Sequence, residues 1–543
     1  MGRYFITKSL SIQIVSIFAL AIVAAITMIL LADAGSPLDR VQAAVPTGID
    51  VGSGGHDITR IGLSAPLALS PTLPMCRFGY AASTNPPSNY DLGGRLNLRA
   101  GWFLDFSNHP PYTATAPELQ YAQVVRLHQI KTVYPSYTAT YVIPYTYTIN
   151  STNPATAIQQ LVTTAQLAPG STWLIGNEIE RRDWPCGNGG TCGQDEMLPE
   201  AYADAYHQIY TALKGADPTA RVAVGSQVEV SPLRLKYMDR MWNAYLAKYG
   251  QPMPVDLWNI HPYMLVEHVD WNGAAIPAGL TETQGLMYED WQNDDLPAFE
   301  QQIISFRQWM AGKGQQSKPL IISEFGVLFP VWYQDGHHQY YTITRVNNFM
   351  KGAFDYMLTA KDPVLGPAAD DNRLVQQWNW YSLDNNPQYF NGALFSYTVG
   401  SMTDIGSAWD TYVNDPNSPV GPSLNLKMLS ASSIASASGP GPYTATVWLK
   451  VSNSGYQNLK APVTISLTKV GDGTPLGQVV LNSLGGCGNS TTVSLQVTNI
   501  DTPSLQVKAE INPLHEPSES DYSDNTIYFT ILGRLLFLPL IQR

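Results

Sequence analysis

Between about residues 77 and 380 the chain alternates short apolar, β-rich runs with segments of helical period, and this alternation limits the folds open to it. Runs over 77–81, 96–104, 172–177, 221–225, 256–261, 319–324 and 374–380 read as strands. One more strand belongs between 121 and 145, where 121–127 and 140–144 compete. Between the runs lie amphipathic helices. Phe299, Ile303, Phe306 and Met310 fall at i, i+4, i+7 and i+11, and Tyr202, Ala205, Tyr206, Ile209 and Leu213 repeat the pattern. Segments 155–165, 233–249 and 340–358 fit it too. Strand followed by helix, repeated along one chain, predicts an α/β fold with parallel strands, here a (β/α)8 TIM barrel. An open doubly wound sheet would also alternate, but no Gly-rich phosphate loop follows the first strand, so no nucleotide site is signalled.

At 543 residues the chain exceeds one ordinary core, and its character changes after Asp415. The helical period stops. Turn-rich residues 416–424 read as a linker, and β-rich runs over 444–451, 463–467, 491–497 and 505–511 follow. They predict a C-terminal β-sandwich domain, with Trp448 in its core. The expected layout is a barrel over 71–415, the linker 416–424, a sandwich over 425–531 and an apolar tail over 532–543. That tail is too short to span a bilayer.

At the N-terminus Arg3 and Lys8 precede an apolar stretch from Ile12 to Leu31, followed by small residues. Residues 1–34 therefore read as a signal peptide or, if uncleaved, a membrane anchor, with 35–70 as a linker. The expectation is a secreted or cell-surface protein. Four cysteines suit that compartment: Cys186 and Cys192 flank a turn-rich segment that a short disulfide could staple, while Cys76 and Cys487 either pair across domains or remain thiols. Net charge is −12 and no basic patch is present, so nucleic acid is not an expected partner. No metal-ligand cluster or cofactor motif is evident, and none is expected.

Two strings carry the chemistry. Gly176-Asn177-Glu178 follows the apolar run Trp173-Leu174-Ile175, and Ser323-Glu324-Phe325-Gly326 follows Leu320-Ile321-Ile322. A carboxylate at the end of a buried run costs desolvation energy, so two such ends suggest two acids meeting at the mouth of a barrel. Together with Asn259-Ile260-His261-Pro262-Tyr263 and Trp378-Asn379-Trp380, these strings resemble the catalytic strands of clan A glycoside hydrolases. The resemblance covers about residues 71–412. It implies a retaining hydrolase of β-linked glycans, in which Glu178 is the general acid/base and Glu324 the nucleophile. It further implies that Asn177 holds the sugar 2-hydroxyl, that Tyr263 holds the nucleophile and that Trp380 forms the floor of the cleavage subsite. Arg77, near a predicted strand end, is added as a candidate substrate contact, and His261, two residues before Tyr263, as either a substrate contact or a structural hydrogen-bond partner. The C-terminal part resembles bacterial adhesion-type immunoglobulin-like modules through Val451-Ser452-Asn453-Ser454-Gly455 and Asp521-Tyr522-Ser523-Asp524-Asn525.

Each reading has a plainer rival. Glu178 and Glu324 could be rim carboxylates paired with Arg181, Arg182 or Arg77. Glu180, two residues on, is the rival acid. The alternative function is a surface adhesin whose inactive barrel binds a polysaccharide or oligosaccharide without cleaving it. No Gly-x-Ser-x-Gly elbow supports an esterase.

Overall fold

The computed structural model describes residues 74–90, 98–109, 119–132, 140–182, 184–185, 191–269, 273–435 and 442–532. The N-terminal apolar segment, the linker after it, Cys186 and nearly all of the apolar tail lie outside the described residues.

The first part of the described chain is mixed α/β with parallel strands. These are β1 (Met75–Ala81), β2 (Ala100–Leu104), β3 (Gln120–Tyr121), β4 (Gln123–Val125), β5 (Thr172–Ile175), β6 (Arg221–Val224), β7 (Trp258–Ile260), β8 (Leu320–Phe325) and β9 (Gln377–Tyr381). Six form one sheet in the order β7-β8-β9-β1-β2-β3, and three form another in the order β6-β5-β4. Ala122 alone separates β3 from β4, and a parallel bridge joins Ala223 in β6 to Leu257, one residue before β7. The unresolved choice for the third strand thus falls at 120–125. In the competing segment, Tyr141 makes an antiparallel bridge to Lys131.

The helices form where capping and period coincide. They are α1 (Pro154–Leu167), α2 (Pro199–Ala216), α3 (Pro232–Tyr249), α4 (Leu296–Gly312), α5 (Ile343–Thr359) and α6 (Asp404–Asn414), the last not expected from sequence. The side chains of Asn153, Ser231, Asp295, Thr342 and Thr403 accept backbone N–H groups at the starts of α1, α3, α4, α5 and α6. The apolar stripes anticipated on α2 and α4 are buried against the strands in one core that includes Tyr202, Tyr206, Leu213, Phe299, Ile303 and Phe306. A second, smaller cluster unites Ala81, Trp102, Leu104, Ala122, Val124, Leu174, Ala223, Leu257 and Ile321, drawn from both parallel sheets.

The C-terminal part is antiparallel. Strands β10 (Leu426–Ala435), β11 (Tyr443–Asn453), β12 (Val463–Lys469), β13 (Pro475–Leu481), β14 (Asn489–Ile500), β15 (Ser504–Ile511) and β16 (Thr526–Leu532) make two sheets. Their orders are β10-β11-β14 and β13-β12-β15-β16, compatible with a sandwich. On β11 the alternation buries Ala445, Val447, Leu449 and Val451. It leaves Trp448 half-buried on the opposite face, so the tryptophan is not in the core.

Contacts at the N-terminal end of β1 fasten the two parts together. Cys76 is disulfide-bonded to Cys487. Arg77, expected at the substrate, instead makes two hydrogen bonds to the Asp370 carboxylate at 2.6 and 2.7 Å. It also donates to the Ser454 carbonyl at 2.9 Å and is 2% exposed. It sits early in β1, whereas Glu178 and Glu324 sit at or just past the C-terminal ends of their strands. Its role here is to neutralise a buried carboxylate and join the two parts. The presumed linker is held as well: the Pro422 and Ser423 carbonyls accept from Tyr456 and Gln457.

Candidate active site

Glu178 lies in a turn immediately after β5. Gly176 takes φ +100° there, and a Cβ on it would meet Ile179 Cγ2 at 2.4 Å, so the turn needs glycine. Asp195 fixes the turn by accepting the Asn177 N–H at 3.0 Å and the Leu127 N–H at 2.8 Å, with Arg126 against its other oxygen. Glu178 itself adopts φ +49°, and its N–H donates to Ser226 Oγ at 3.1 Å. A side chain held in this left-handed conformation costs of order 1–3 kcal/mol, which the surrounding hydrogen bonds offset.

Glu324 reaches the site through a bulge. On β8, Ile322 pairs with Trp378 and Phe325 with Trp380, so three residues oppose two. Without that extra residue, Glu324 would follow Leu320 and Ile322 toward the helices. With it, Phe325 takes the helix side against Phe299 and Phe354, and the carboxylate is re-aimed.

The two acids meet around His261. One carboxylate oxygen of each and a ring nitrogen of His261 lie within 4.8 Å of one another, and all three residues are buried. His261 Nδ1 is 3.4 Å from Glu178 Oε1, while Nε2 is 2.8 Å from Ser323 Oγ and 3.6 Å from Glu324 Oε1. The carboxylates thus address opposite ring nitrogens, an arrangement that suits a shared proton better than a common cation. Tyr263 donates to Glu324 Oε2 at 3.3 Å. Asn177 is beside Glu178 and donates to the Gly193 carbonyl at 3.3 Å.

The charges are uneven. Burial pushes the Glu178 carboxyl up, but the Arg181 guanidinium at 2.8 Å and the His261 ring more than offset it, and the group falls to about 2. Burial raises Glu324, His261 opposes this, and the Glu178 charge adds to the rise, leaving it near 7. His261 is desolvated, yet the Glu324 and Glu178 charges raise it overall. The Arg181 ion pair thus favours charge on Glu178, while burial and the Glu178 charge disfavour it on Glu324.

Two expected contacts are absent from this cluster. Arg77 is at the other end of β1, as described above. Trp380 is fully buried, with its ring 5.3 Å from Phe325 and its indole N–H on the Gly392 carbonyl, so it offers no floor to a ligand. Tyr381, the next residue, feels the Glu324 charge instead; burial, then that charge, raise its hydroxyl pKa. Glu180 is set apart too. It is wholly buried, accepts from Arg234 Nε at 2.9 Å and from the Val228 N–H at 3.0 Å, and lies outside the Glu178–Glu324 cluster. Sequence reading named Arg181 only as a rival explanation for Glu178. Its i, i+3 spacing from that residue was the available signal. Ser226 and Asp195 gave no signal at all.

No family model matches the chain, and no curated protein matches it. Solved structures do. An endo-β-1,3-glucanase of family GH128 subgroup I from Amycolatopsis mediterranei, crystallised with laminaritriose, aligns at 15% identity over 62% of this chain and 98% of its own, with a TM-score of 0.36. A monomeric β-xylosidase from Caulobacter crescentus aligns at 13% identity over 66% and 75%, with a TM-score of 0.30. The CARDB domain of a Pyrococcus furiosus protein, in complex with di-metal ions, aligns at 14% identity over 20% and 87%, with a TM-score of 0.17.

Proposed function

We propose that this protein is a retaining glycoside hydrolase acting on a β-linked glycan, with Glu178 and Glu324 as the reacting pair. One observation carries the reading: buried carboxylate oxygens of the two residues lie within 4.8 Å of each other and a histidine. An inverting enzyme must fit a water between its acids and separates them by about 6.5–9.5 Å, whereas a retaining pair stands about 5–5.5 Å apart. The two parallel sheets, their shared interior cluster and the Ala223–Leu257 bridge support the two arcs of one (β/α)8 barrel, with the acids at its C-terminal mouth.

In this mechanism Glu324 attacks the anomeric carbon while Glu178 gives its proton to the departing oxygen. Glu178 then takes a proton from the water that releases the covalent intermediate. Tyr263 holds the nucleophile, and Asn177 is placed to bind the sugar beside the acid. Because the Arg181 ion pair favours charge on Glu178, a proton must reach Glu178 before cleavage, and His261 touches both carboxylates. The Arg181 ion pair favours a second reading, with the roles exchanged.

Azide rescue separates the two. Under the first assignment, Glu178→Ala cleaves activated aryl glycosides with azide to a β-glycosyl azide, and Glu324→Ala gives the α product. Exchanged roles reverse the two products. Turnover in both variants equal to the parent's, without azide, would remove the two residues from the chemistry, and a parent that binds glycan without cleaving it would leave the adhesin. We further propose export through the N-terminal apolar segment, release or attachment at the cell surface, and a spacer role for the C-terminal sandwich as an immunoglobulin-like module.

A further inference from the structure

Trp332 lies eight residues beyond Glu324, on the segment leaving β8, and is 50% exposed. Its indole N–H donates to the Gln388 carbonyl at 2.8 Å, in the segment leaving β9. The two segments are tied again by the Val327–Asn391 bridge and by Asn391, which donates to the Tyr341 carbonyl at 2.6 Å. The Trp332 ring stands edge-on to Tyr333 at 6.4 Å, and the rest of the segment is firmly held. Phe329 stacks on Tyr333 at 4.5 Å and on Tyr341 at 5.3 Å, and the Arg345 guanidinium lies 3.8 Å over the Tyr341 ring. Arg345 is anchored in turn by Asp294 and Asp335 at 2.6 and 2.7 Å. Tyr333 donates to Asp290 at 2.8 Å.

This is an ordered segment that holds a large aromatic ring in water. A tryptophan whose N–H already has a partner has nothing polar left to offer, so its open face is apolar and its orientation is set. The C–H face of a pyranose matches such a surface. We propose that Trp332 is a stacking platform for a sugar ring of the glycan chain remote from the cleaved bond, on the β8–β9 side of the site. The proposal rests on the hydrolase reading and deepens it: the substrate is a chain, and its length is sensed here.

The test compares the parent, Trp332→Ala and Trp332→Phe, each as the full chain, on β-linked oligosaccharides of increasing length. Trp332→Ala is expected to lose about tenfold in kcat/KM on long chains, through KM, with the shortest cleavable substrate unchanged. Trp332→Phe should keep most of the parent's preference for length. An equal loss at every length, or no loss at any, overturns the platform while leaving the hydrolase reading standing. Binding of soluble polysaccharide to Glu324→Gln, with and without Trp332→Ala, gives a readout independent of turnover. If the parent cleaves no glycan and Glu324→Gln binds none, the hydrolase reading and the platform fall together. Because the ring is half exposed, the melting temperature should not move, which separates lost stacking from a damaged fold.

Discussion

The Arg181 guanidinium stands 2.8 Å from Glu178 Oε2 by one terminal nitrogen and 2.8 Å from the Gly273 carbonyl by the other. The cation therefore favours the ionised form of Glu178. Replacing the guanidinium by a neutral amide in Arg181→Gln removes the cation that holds Glu178 low, so its carboxyl rises by about one pH unit or more. If Glu178 must be protonated to act, the limb on which kcat/KM falls at high pH moves upward. If Glu178 must be ionised to attack, the limb at low pH moves upward instead. The pH profile of this variant therefore reports which role Glu178 plays, and a profile identical to the parent's would show that the ion pair does not govern it.

Tyr263 contributes one hydrogen bond to Glu324, at 3.3 Å, and its hydroxyl makes no other among the described residues. Tyr263→Phe keeps the buried ring and deletes that donor. A hydrogen bond to a charged group is worth about 1.5–3 kcal/mol, so kcat should drop about ten- to a hundredfold with little change in KM. Steady-state kinetics on an activated aryl glycoside would check it. A rise in KM at constant kcat would place the hydroxyl on the substrate rather than on the nucleophile.

The acids were legible in the sequence because a charge that ends a buried strand is conspicuous, and Glu178 and Glu324 both do so. The fate of Trp380 was not. Strands buried on both faces lose the period-two pattern that marks which way a side chain points, and Trp378 and Trp380 both join the core that contains the helix stripes. The bulge that turns Glu324 inward left no local mark in Leu320-Ile321-Ile322-Ser323-Glu324. Arg77 could have been excluded from sequence: a residue at the start of a parallel strand sits at the end opposite the carboxylates. No local pattern marks the Cys76–Cys487 pairing, because its partners are 411 residues apart.

That disulfide makes a measurable contribution. It closes a very long loop and joins the start of β1 to the C-terminal part, so it removes chain entropy from the unfolded state. Cys487→Ser, which also leaves Cys76 as a free thiol, should lower unfolding stability by about 2–5 kcal/mol. Because the acids are held by other elements, kcat on a soluble substrate should be unchanged at a temperature where the variant is folded. Denaturant melts of the parent with and without reductant should reproduce the loss; identical midpoints would show that the bond adds nothing to stability.

Among the described residues, Arg234 is the one cation that pairs with three buried carboxylates. It contacts Glu180 at 2.9 Å, Glu229 at 3.5 Å and Glu267, and all four are wholly buried. One guanidinium cannot balance three carboxylates in a dry interior, so the cluster retains a proton. Burial raises Glu229 to about 8, with Arg234 opposing and the Glu267 charge adding to the rise. The folded value is above the ordinary one of 4.5, which fixes the sign: the stability from this group is complete below about pH 4.5 and is lost as pH rises through 8. The loss has a limiting slope of about 1.4 kcal/mol per pH unit for one proton. Glu324, also raised, adds a slope of the same sign, so the comparison is between the parent and Glu229→Gln. The amide keeps the shape and needs no proton, and the variant should lose part of the parent's decline in unfolding free energy between about pH 5 and 8. Arg234→Met should do the reverse. It leaves the carboxylates without their cation, costs about 3–5 kcal/mol and steepens the alkaline loss. Parallel pH dependence in the parent and Glu229→Gln would place the stored proton on Glu180, whose carboxyl burial also raises, and Glu180→Gln would then carry the effect.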